Sequence, residues 1–246
     1  MTLTVASRGG ERRRRGWAVV TLAVGVLLYF LPTLVLPVLA SPIDQSLRAL
    51  GLLGGGAGGF ERIFGAAMVV RWLAVVLLLL YVPFVEREPL SSIGVRMPRP
   101  VDLLLALCTA AVTIVVGGGL YLLAGALTHG AGTSAGTQGA NIAQTLGVAG
   151  RIQVALNAGV VEELLFRAVL IGCLLRLDVH PVTAAAISTI VFAASHYFTG
   201  SETLLYSVVV DGVAGVTFST LYLLRRNVVA NALAHFVCDL VAIVIL

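Results

Sequence analysis

The sequence predicts an all-α protein, a polytopic transmembrane bundle of about seven helices (six to eight) with its candidate site inside the membrane. Of the 246 residues, 59% are hydrophobic and 11% are charged, whereas a soluble domain has about 25% charged residues. The chain is long enough for about seven spans of roughly 20 residues with short connections. Ionisable side chains nevertheless recur within the apolar runs.

The first apolar run, 17–40, follows a polar segment, 1–16, that contains four consecutive arginines. The run is longer than the 7–15 apolar residues of a signal peptide, so we expect it to be retained as the first span. Arginines beside a span favour the cytoplasmic side. We therefore predict a multi-pass protein of the cell membrane with a cytoplasmic N-terminus.

Six further spans follow from hydropathy. Pro181 is expected in the first turn of the fifth span, where its missing N–H costs nothing. The segments then predicted to be cytoplasmic hold eleven arginines and the outer ones three, an imbalance that supports the topology. Segment 41–61 is expected to be an outer loop, with a re-entrant or interfacial helix as the alternative. The further spans are 62–85, 101–127, 152–176, 181–198, 203–224 and 228–246.

Charge and cysteine content exclude several classes of function. The net charge of +4 comes mainly from the N-terminus and reflects topology, so the expected partner is the lipid bilayer and not nucleic acid. The three cysteines match neither a disulfide framework nor a metal-binding spacing. We interpret Cys108, Cys173 and Cys238 as buried packing thiols.

The fourth span carries three charged residues within six positions, Glu162, Glu163 and Arg167. Each costs at least about 2.5–3.5 kcal/mol at that depth, so the default interpretation is a functional site. Glu163 and Arg167 are spaced i,i+4 in the favourable order for an ion pair. Glu162 lies roughly 100° away around the helix, with no arginine on its own face. The pattern predicts a structural Glu163–Arg167 pair and a Glu162 left free for chemistry.

Two later spans supply polar partners. Phe192 and His196 lie on the fifth span, and Asn231, His235 and Asp239 lie at i, i+4 and i+8 on the seventh. The last three share one helix face, which must face protein or a water-filled cavity. Two other charges inside the spans, Arg71 and Asp211, are interpreted as structural or snorkelling, with Asp211 bordering a cavity as the alternative.

A carboxylate and two imidazoles converging in a partly dry cavity suit the activation of water. The glutamate would accept a proton from water, and a histidine N–H would hold the oxyanion, worth roughly 3 kcal/mol per donor. This chemistry needs no cofactor. Two histidines and a carboxylate are also a common zinc shell, which leaves zinc open as a cofactor. The metal ligands would then be His196, His235, Glu162 and Asp239.

These residues resemble the three motifs of the CAAX protease and bacteriocin-processing family, also called CPBP or Abi. The first, Glu-Glu-x-x-x-Arg, matches Glu162 to Arg167, and the second, Phe-x-x-x-His, matches Phe192 to His196. The third, His-x-x-x-Asn/Asp, matches His235 to Asp239. The resemblance covers about residues 86–246.

The resemblance implies an intramembrane endopeptidase, glutamate-type or metal-dependent, that hydrolyses a peptide or protein substrate at the membrane. The substrate would be of CAAX type or related to peptide and bacteriocin processing. The implied organisation is a cytoplasmic basic segment (1–16), an N-terminal transmembrane region (17–100) and a catalytic transmembrane core (101–246).

By the resemblance, Glu162 with His196 would activate water, and His235 with Asp239 would stabilise the oxyanion. Glu163, Arg167, Asn231 and Phe192 would support them. Family members that process prenylated substrates have an Asn at the position that Asp239 occupies in this sequence. Because an ionised Asp would repel an oxyanion, Asp239 must be protonated, orient His235 or bind a metal.

Two other hypotheses remain. One is a non-catalytic self-immunity or membrane assembly factor with the same fold, and the other is a proton-coupled transporter that uses the same Glu and His residues.

One geometric condition applies to the peptidase. Counting about 1.5 Å per residue puts Glu162 and His196 about 20–24 Å from the cytoplasmic ends of their helices but His235 about 14 Å from its own. The helices must tilt or shift for the three to meet.

Overall fold

The computed structural model describes residues 4–50, 59–128, 142, 145–198 and 203–245. In these residues the fold is seven helices without a strand, as the sequence predicts. Several helices contain a wider π turn. The helices are α1, Thr4–Ala49; α2, Gly59–Tyr81 with a π turn Val82–Glu86; α3, Pro100–Leu127; α4, Val148–Glu163 with a π segment Leu164–Ile171 and a last turn Gly172–Arg176; α5, Pro181–Phe198; α6, Leu204–Tyr206 with a π turn Ser207–Asp211 and Gly212–Arg225; and α7, Val228–Leu240 with a π turn Val241–Ile245.

Five of these helices are long and apolar enough to cross a membrane. Helix α7 is apolar but shorter over Val228–Ile243, and α4 falls outside the set because Glu162, Glu163 and Arg167 interrupt its apolar run. Large apolar side chains such as Val115 and Leu122 cover the outside of the bundle, with exposures of 71% and 74%. The chain is therefore a multi-pass membrane protein. The five helices are α1 over Arg15–Ala49, α2 over Ile63–Glu86, α3, α5 and α6 over Leu204–Arg225.

The first helix is longer than the predicted span 17–40. It continues to Ala49 through Pro32, Pro37 and Pro42. The loop expected at 41–61 is therefore wrong for 41–49, which extend the first span instead of forming a separate helix, and for 59–61, which begin α2, while 51–58 lie outside the described residues. The added turns are stabilised by an i,i+4 pair, in which the Arg48 Nε lies 3.0 Å from Asp44 Oδ2.

Of the three cysteines expected to be buried, only Cys173 is fully buried. All three are free thiols, but Cys173 is buried, Cys238 is half-buried and Cys108 is exposed on α3. The prediction is wrong for Cys108 because its face of α3 lies on the outside of the bundle. There the surrounding membrane, and not protein packing, provides apolar surroundings.

Two polar clusters fix the helices at the end of the bundle that is predicted to be cytoplasmic. The buried Glu86 accepts hydrogen bonds from Thr21 and from Arg176 Nη1 at 3.2 Å, which joins α1, α2 and α4. Asp102 accepts one from Arg225 Nε at 2.5 Å, which joins α3 to α6. Together they hold the relative heights of the helices that carry the site.

Two glycines let helices approach at the level of the site. A Cβ added at Gly159 would lie 2.9 Å from the Ala232 carbonyl oxygen, and one at Gly215 would lie 3.0 Å from Thr189 Cα. Real Cβ atoms essentially never come closer than 3.0 Å to another atom, and a distance of 3.0 Å is already tighter than nine in ten real contacts. Gly159 therefore allows α4 to lie against α7. Gly215 does the same for α6 against α5. These contacts bring the charged face of α4 to the histidines.

Candidate active site

Helix α4 places three charged side chains in the protein interior. Glu163 and Arg167 are fully buried, and Glu162 is 5% exposed. Arg167 Nη1 donates to Glu163 Oε1 at 2.9 Å, which confirms the i,i+4 pair. The arginine also lies over the Phe192 ring, 4.6 Å from its centroid. The cation is thus compensated by a carboxylate and an aromatic face, as a buried charge requires.

Glu163 also contacts α7, which the sequence does not predict. Its Oε1 accepts a hydrogen bond from His235 Nδ1 at 2.9 Å, and its Oε2 accepts one from Asn231 Nδ2 at 3.2 Å. Asp239 Oδ1 lies 3.6 Å from His235 Nε2. Asn231, His235 and Asp239 therefore share one face of α7, as expected. Glu163, rather than Asp239, is the acceptor that orients the His235 ring through Nδ1.

Glu162 lies between both histidines. Its Oε2 is 3.6 Å from His196 Nε2 and 3.9 Å from His235 Nε2. The predicted convergence of the three spans is confirmed, although His235 was expected at a different depth. The helices are therefore offset enough to bring the three side chains together. Oε2 is buried and has no hydrogen-bond partner among the described residues.

In each histidine, the hydrogen bond made by Nδ1 determines which protons Nε2 can accept or donate. His196 Nδ1 lies 3.0 Å from the Phe192 carbonyl oxygen, and His235 Nδ1 contacts the Glu163 carboxylate. Since both partners are acceptors, both Nδ1 atoms carry hydrogen. The two Nε2 atoms then face Glu162, where each accepts a proton in the neutral ring and donates one in the imidazolium.

Two charges that the sequence suggests are structural or snorkelling, Arg71 and Asp211, lie at the site. Arg71 on α2 places its Nη2 3.6 Å from Glu162 Oε1. Asp211, in the π turn of α6, is 7% exposed and interacts electrostatically with His196, Glu162 and Asp239. Glu162 therefore has an arginine from another helix beside it, and Asp211 lies among the charged groups of the site.

A signal for Arg71 existed in the spacing. Arg71 lies about 22 Å from the end of its helix at Glu86, and Glu162 lies about 21 Å from the end of its own at Arg176. Equal depth on two helices that run in the same direction is a necessary condition for the two charges to meet. Asp211 has no comparable signal, because a π turn changes which face it occupies.

The four residues expected as zinc ligands, His196, His235, Glu162 and Asp239, lie close together. The described residues contain no group of three or more His, Cys, Asp or Glu side chains that could hold a metal ion. Two of the four expected ligands, Glu162 and His235, are 3.9 Å apart between Oε2 and Nε2.

Fold and site together define a multi-pass membrane protein with a buried glutamate between two histidines. Residues 144–241 match the family model described as type II CAAX prenyl endopeptidase Rce1-like. The match contains all three motifs and confirms the resemblance to the CAAX protease family. No curated protein and no solved structure matches the chain.

Proposed function

We propose that the protein is an intramembrane endopeptidase that hydrolyses a peptide bond of a membrane-associated substrate, with Glu162 as general base. The observation that carries the proposal is the position of Glu162 Oε2, buried, without a hydrogen-bond partner among the described residues, and 3.6 Å from His196 Nε2. A buried polar atom of this kind needs an explanation. A bound water that donates to both atoms supplies one.

Such a water would be oriented for attack. It donates one hydrogen to Glu162 Oε2 and the other to His196 Nε2, so its lone pair points at a substrate carbonyl. Glu162 takes the proton as the new C–O bond forms and later gives it to the leaving amine as the C–N bond breaks. A general base of this kind contributes about 10²–10⁴-fold to the rate.

The developing oxyanion needs a donor, and His235 is the candidate. Because its Nδ1 already donates to Glu163, its Nε2 donates to an oxyanion in the imidazolium form. Asp239 Oδ1, 3.6 Å from the same Nε2, pairs with the imidazolium as an ion pair before substrate enters. We propose that Asp239 holds the His235 N–H in place and yields it to the oxyanion.

The proposal is tested with detergent-purified protein and a panel of fluorogenic peptides that includes a prenylated one. Wild type is compared with Glu162→Gln and His196→Ala, and with Glu88→Gln, which changes an exposed glutamate at the end of the bundle predicted to be cytoplasmic. We expect cleavage by wild type and Glu88→Gln and none by the two site variants, although all remain folded.

A strong chelator, metal analysis and zinc addition form a second arm. Cleavage that is indifferent to the chelator supports activation of water by Glu162 alone. Cleavage lost with chelator and restored by zinc would replace this mechanism with a metal-dependent one. Retained cleavage by Glu162→Gln would remove Glu162 as the base. If no peptide is cleaved by wild type, the non-catalytic hypothesis is favoured.

A further inference from the structure

We propose that Arg71 is a positioning residue for Glu162, an inference that rests on the proposed function. Arg71 lies on α2, outside the matched residues 144–241. Its Nη2 faces Glu162 Oε1 at 3.6 Å, while Oε2 faces the two histidines. The two carboxylate oxygens therefore have different surroundings, and Arg71 determines which of them is presented to water.

The other groups around Glu162 explain why Arg71 would be the residue that orients its carboxylate. His196 and His235 both lie on the Oε2 side, and each changes its hydrogen bonding during the proposed reaction. A guanidinium does not exchange protons with its neighbours in proteins, and Arg71 has 30% of its side chain exposed, so it provides a cation that does not take part in proton transfer. Charged and titratable groups reach Glu162 from six helices: Tyr29 on α1, Arg71 on α2, Arg167 on α4, His196 on α5, Asp211 on α6, and His235 and Asp239 on α7.

Of these groups, Arg71 alone is a permanent cation within ion-pair distance of Glu162 in the described part of the chain. Arg167, the other arginine on that list, is paired with Glu163. Without Arg71, Glu162 is free to rotate away from the histidines, and its proton-accepting oxygen is no longer fixed. The ground-state affinity for a peptide depends little on that orientation, whereas the chemical step depends on it directly.

The test compares Arg71→Gln and Arg71→Lys with wild type and with Arg48→Gln. Arg48 is the matched control because it is an arginine of the neighbouring helix α1 that pairs with Asp44. We expect Arg71→Gln to lower kcat about tenfold to a hundredfold, part of the roughly 10²–10⁴-fold supplied by a general base, with KM changed less than about threefold. Arg71→Lys should recover part of the loss, and the acid limb of the pH–rate profile should move to higher pH in Arg71→Gln alone.

A second measurement does not need activity. Dicyclohexylcarbodiimide modifies protonated carboxyl groups in apolar surroundings, and trypsin releases Glu162 on the peptide 152–167. Mass spectrometry should find more modification of Glu162 in Arg71→Gln than in wild type, Arg71→Lys or Arg48→Gln. Equal modification in all four proteins overturns the inference, whether or not a cleaved peptide has been found.

The two proposals fail differently. If wild type cleaves no peptide, the proposed function fails and the labelling alone decides the role of Arg71. If wild type cleaves but Arg71→Gln has the same kcat, KM and pH profile, the function stands and Arg71 is not a positioning residue. A loss in Arg71→Gln that Arg71→Lys does not recover, with unchanged labelling, means a packing role and also contradicts the inference.

Discussion

Glu163 Oε1 lies 2.9 Å from His235 Nδ1 and 2.9 Å from Arg167 Nη1, so a single carboxylate oxygen joins a histidine and an arginine. Its neighbour in the chain, Glu162, faces the opposite side of the same imidazole, with its Oε2 3.9 Å from Nε2. Two adjacent glutamates thus contact the two different nitrogens of one histidine. Glu163 orients the imidazole ring through Nδ1, and Glu162 faces Nε2, the nitrogen proposed to take part in the reaction.

Glu163→Gln should destabilise the protein strongly, because Arg167 is fully buried and would lose its counter-charge. Breaking a buried ion pair by changing one partner costs about 3–5 kcal/mol. Thermal unfolding in detergent, followed with a thiol-reactive dye that reports exposure of the buried Cys173, measures the change. The control is Asp178→Asn, which breaks an exposed pair with Arg15 and should cost about 0–1 kcal/mol. Similar losses in the two variants would contradict a special role for the buried pair.

Gly159→Ala should separate α4 from α7. The new Cβ would lie 2.9 Å from the Ala232 carbonyl oxygen and 3.0 Å from the Phe236 nitrogen, and overpacking of this kind costs about 1–3 kcal/mol. The contact between Glu163 and His235 would lengthen, so activity should fall even at temperatures where the variant is folded. Peptide cleavage and thermal unfolding are measured together.

Gly118→Ala on α3 is the matched control, since nothing lies within 4 Å of its added Cβ. It should leave activity unchanged and gain up to about 1 kcal/mol from the higher helix propensity of alanine. A Gly159→Ala protein with normal activity would show that the close approach of α4 and α7 is not needed.

The sequence was sufficient for the architecture because the relevant signals are local. Apolar length predicts the spans, and Pro181 marks the start of α5 as expected. The i,i+4 rule predicts both the Glu163–Arg167 pair and the shared face of His235 and Asp239. These inferences need only the geometry of a single helix.

The contacts between helices were harder to predict. The Glu163–His235 hydrogen bond and the Arg71–Glu162 pair depend on rotation and offset of α2, α4 and α7. Those in turn depend on where glycines such as Gly159 allow close approach. The π segment Leu164–Ile171 further changes the faces of α4, and a regular 3.6-residue period does not include it.

Asp239→Asn should keep the fold and retain cleavage within about tenfold of wild type, because Asp239 makes no hydrogen bond to His235 at 3.6 Å and an amide of the same shape fills the same space. Removing the carboxylate also removes a negative charge 3.6 Å from the nitrogen that would hold the oxyanion. The gain in oxyanion stability and the loss of a counter-charge for the imidazolium oppose each other. The kinetic constants of Asp239→Asn and Asp239→Ala are compared. A complete loss in Asp239→Asn would mean that the carboxylate itself takes part in proton transfer or binds a metal.

His196→Gln should lower kcat by about 10²-fold or more, because the flexible amide does not hold the attacking water beside Glu162 as the oriented Nε2 does. The variant should fold normally, since the ring is 21% exposed and makes a local hydrogen bond to Phe192. His180→Gln serves as the control: this histidine precedes the first turn of α5, is exposed, and accepts from the Val182 amide. Steady-state kinetics on a cleaved peptide should separate the two variants, with His180→Gln close to wild type. A similar loss in both would point to a defect of α5 as a whole, and an active His196→Gln would leave Glu162 to activate water without this histidine.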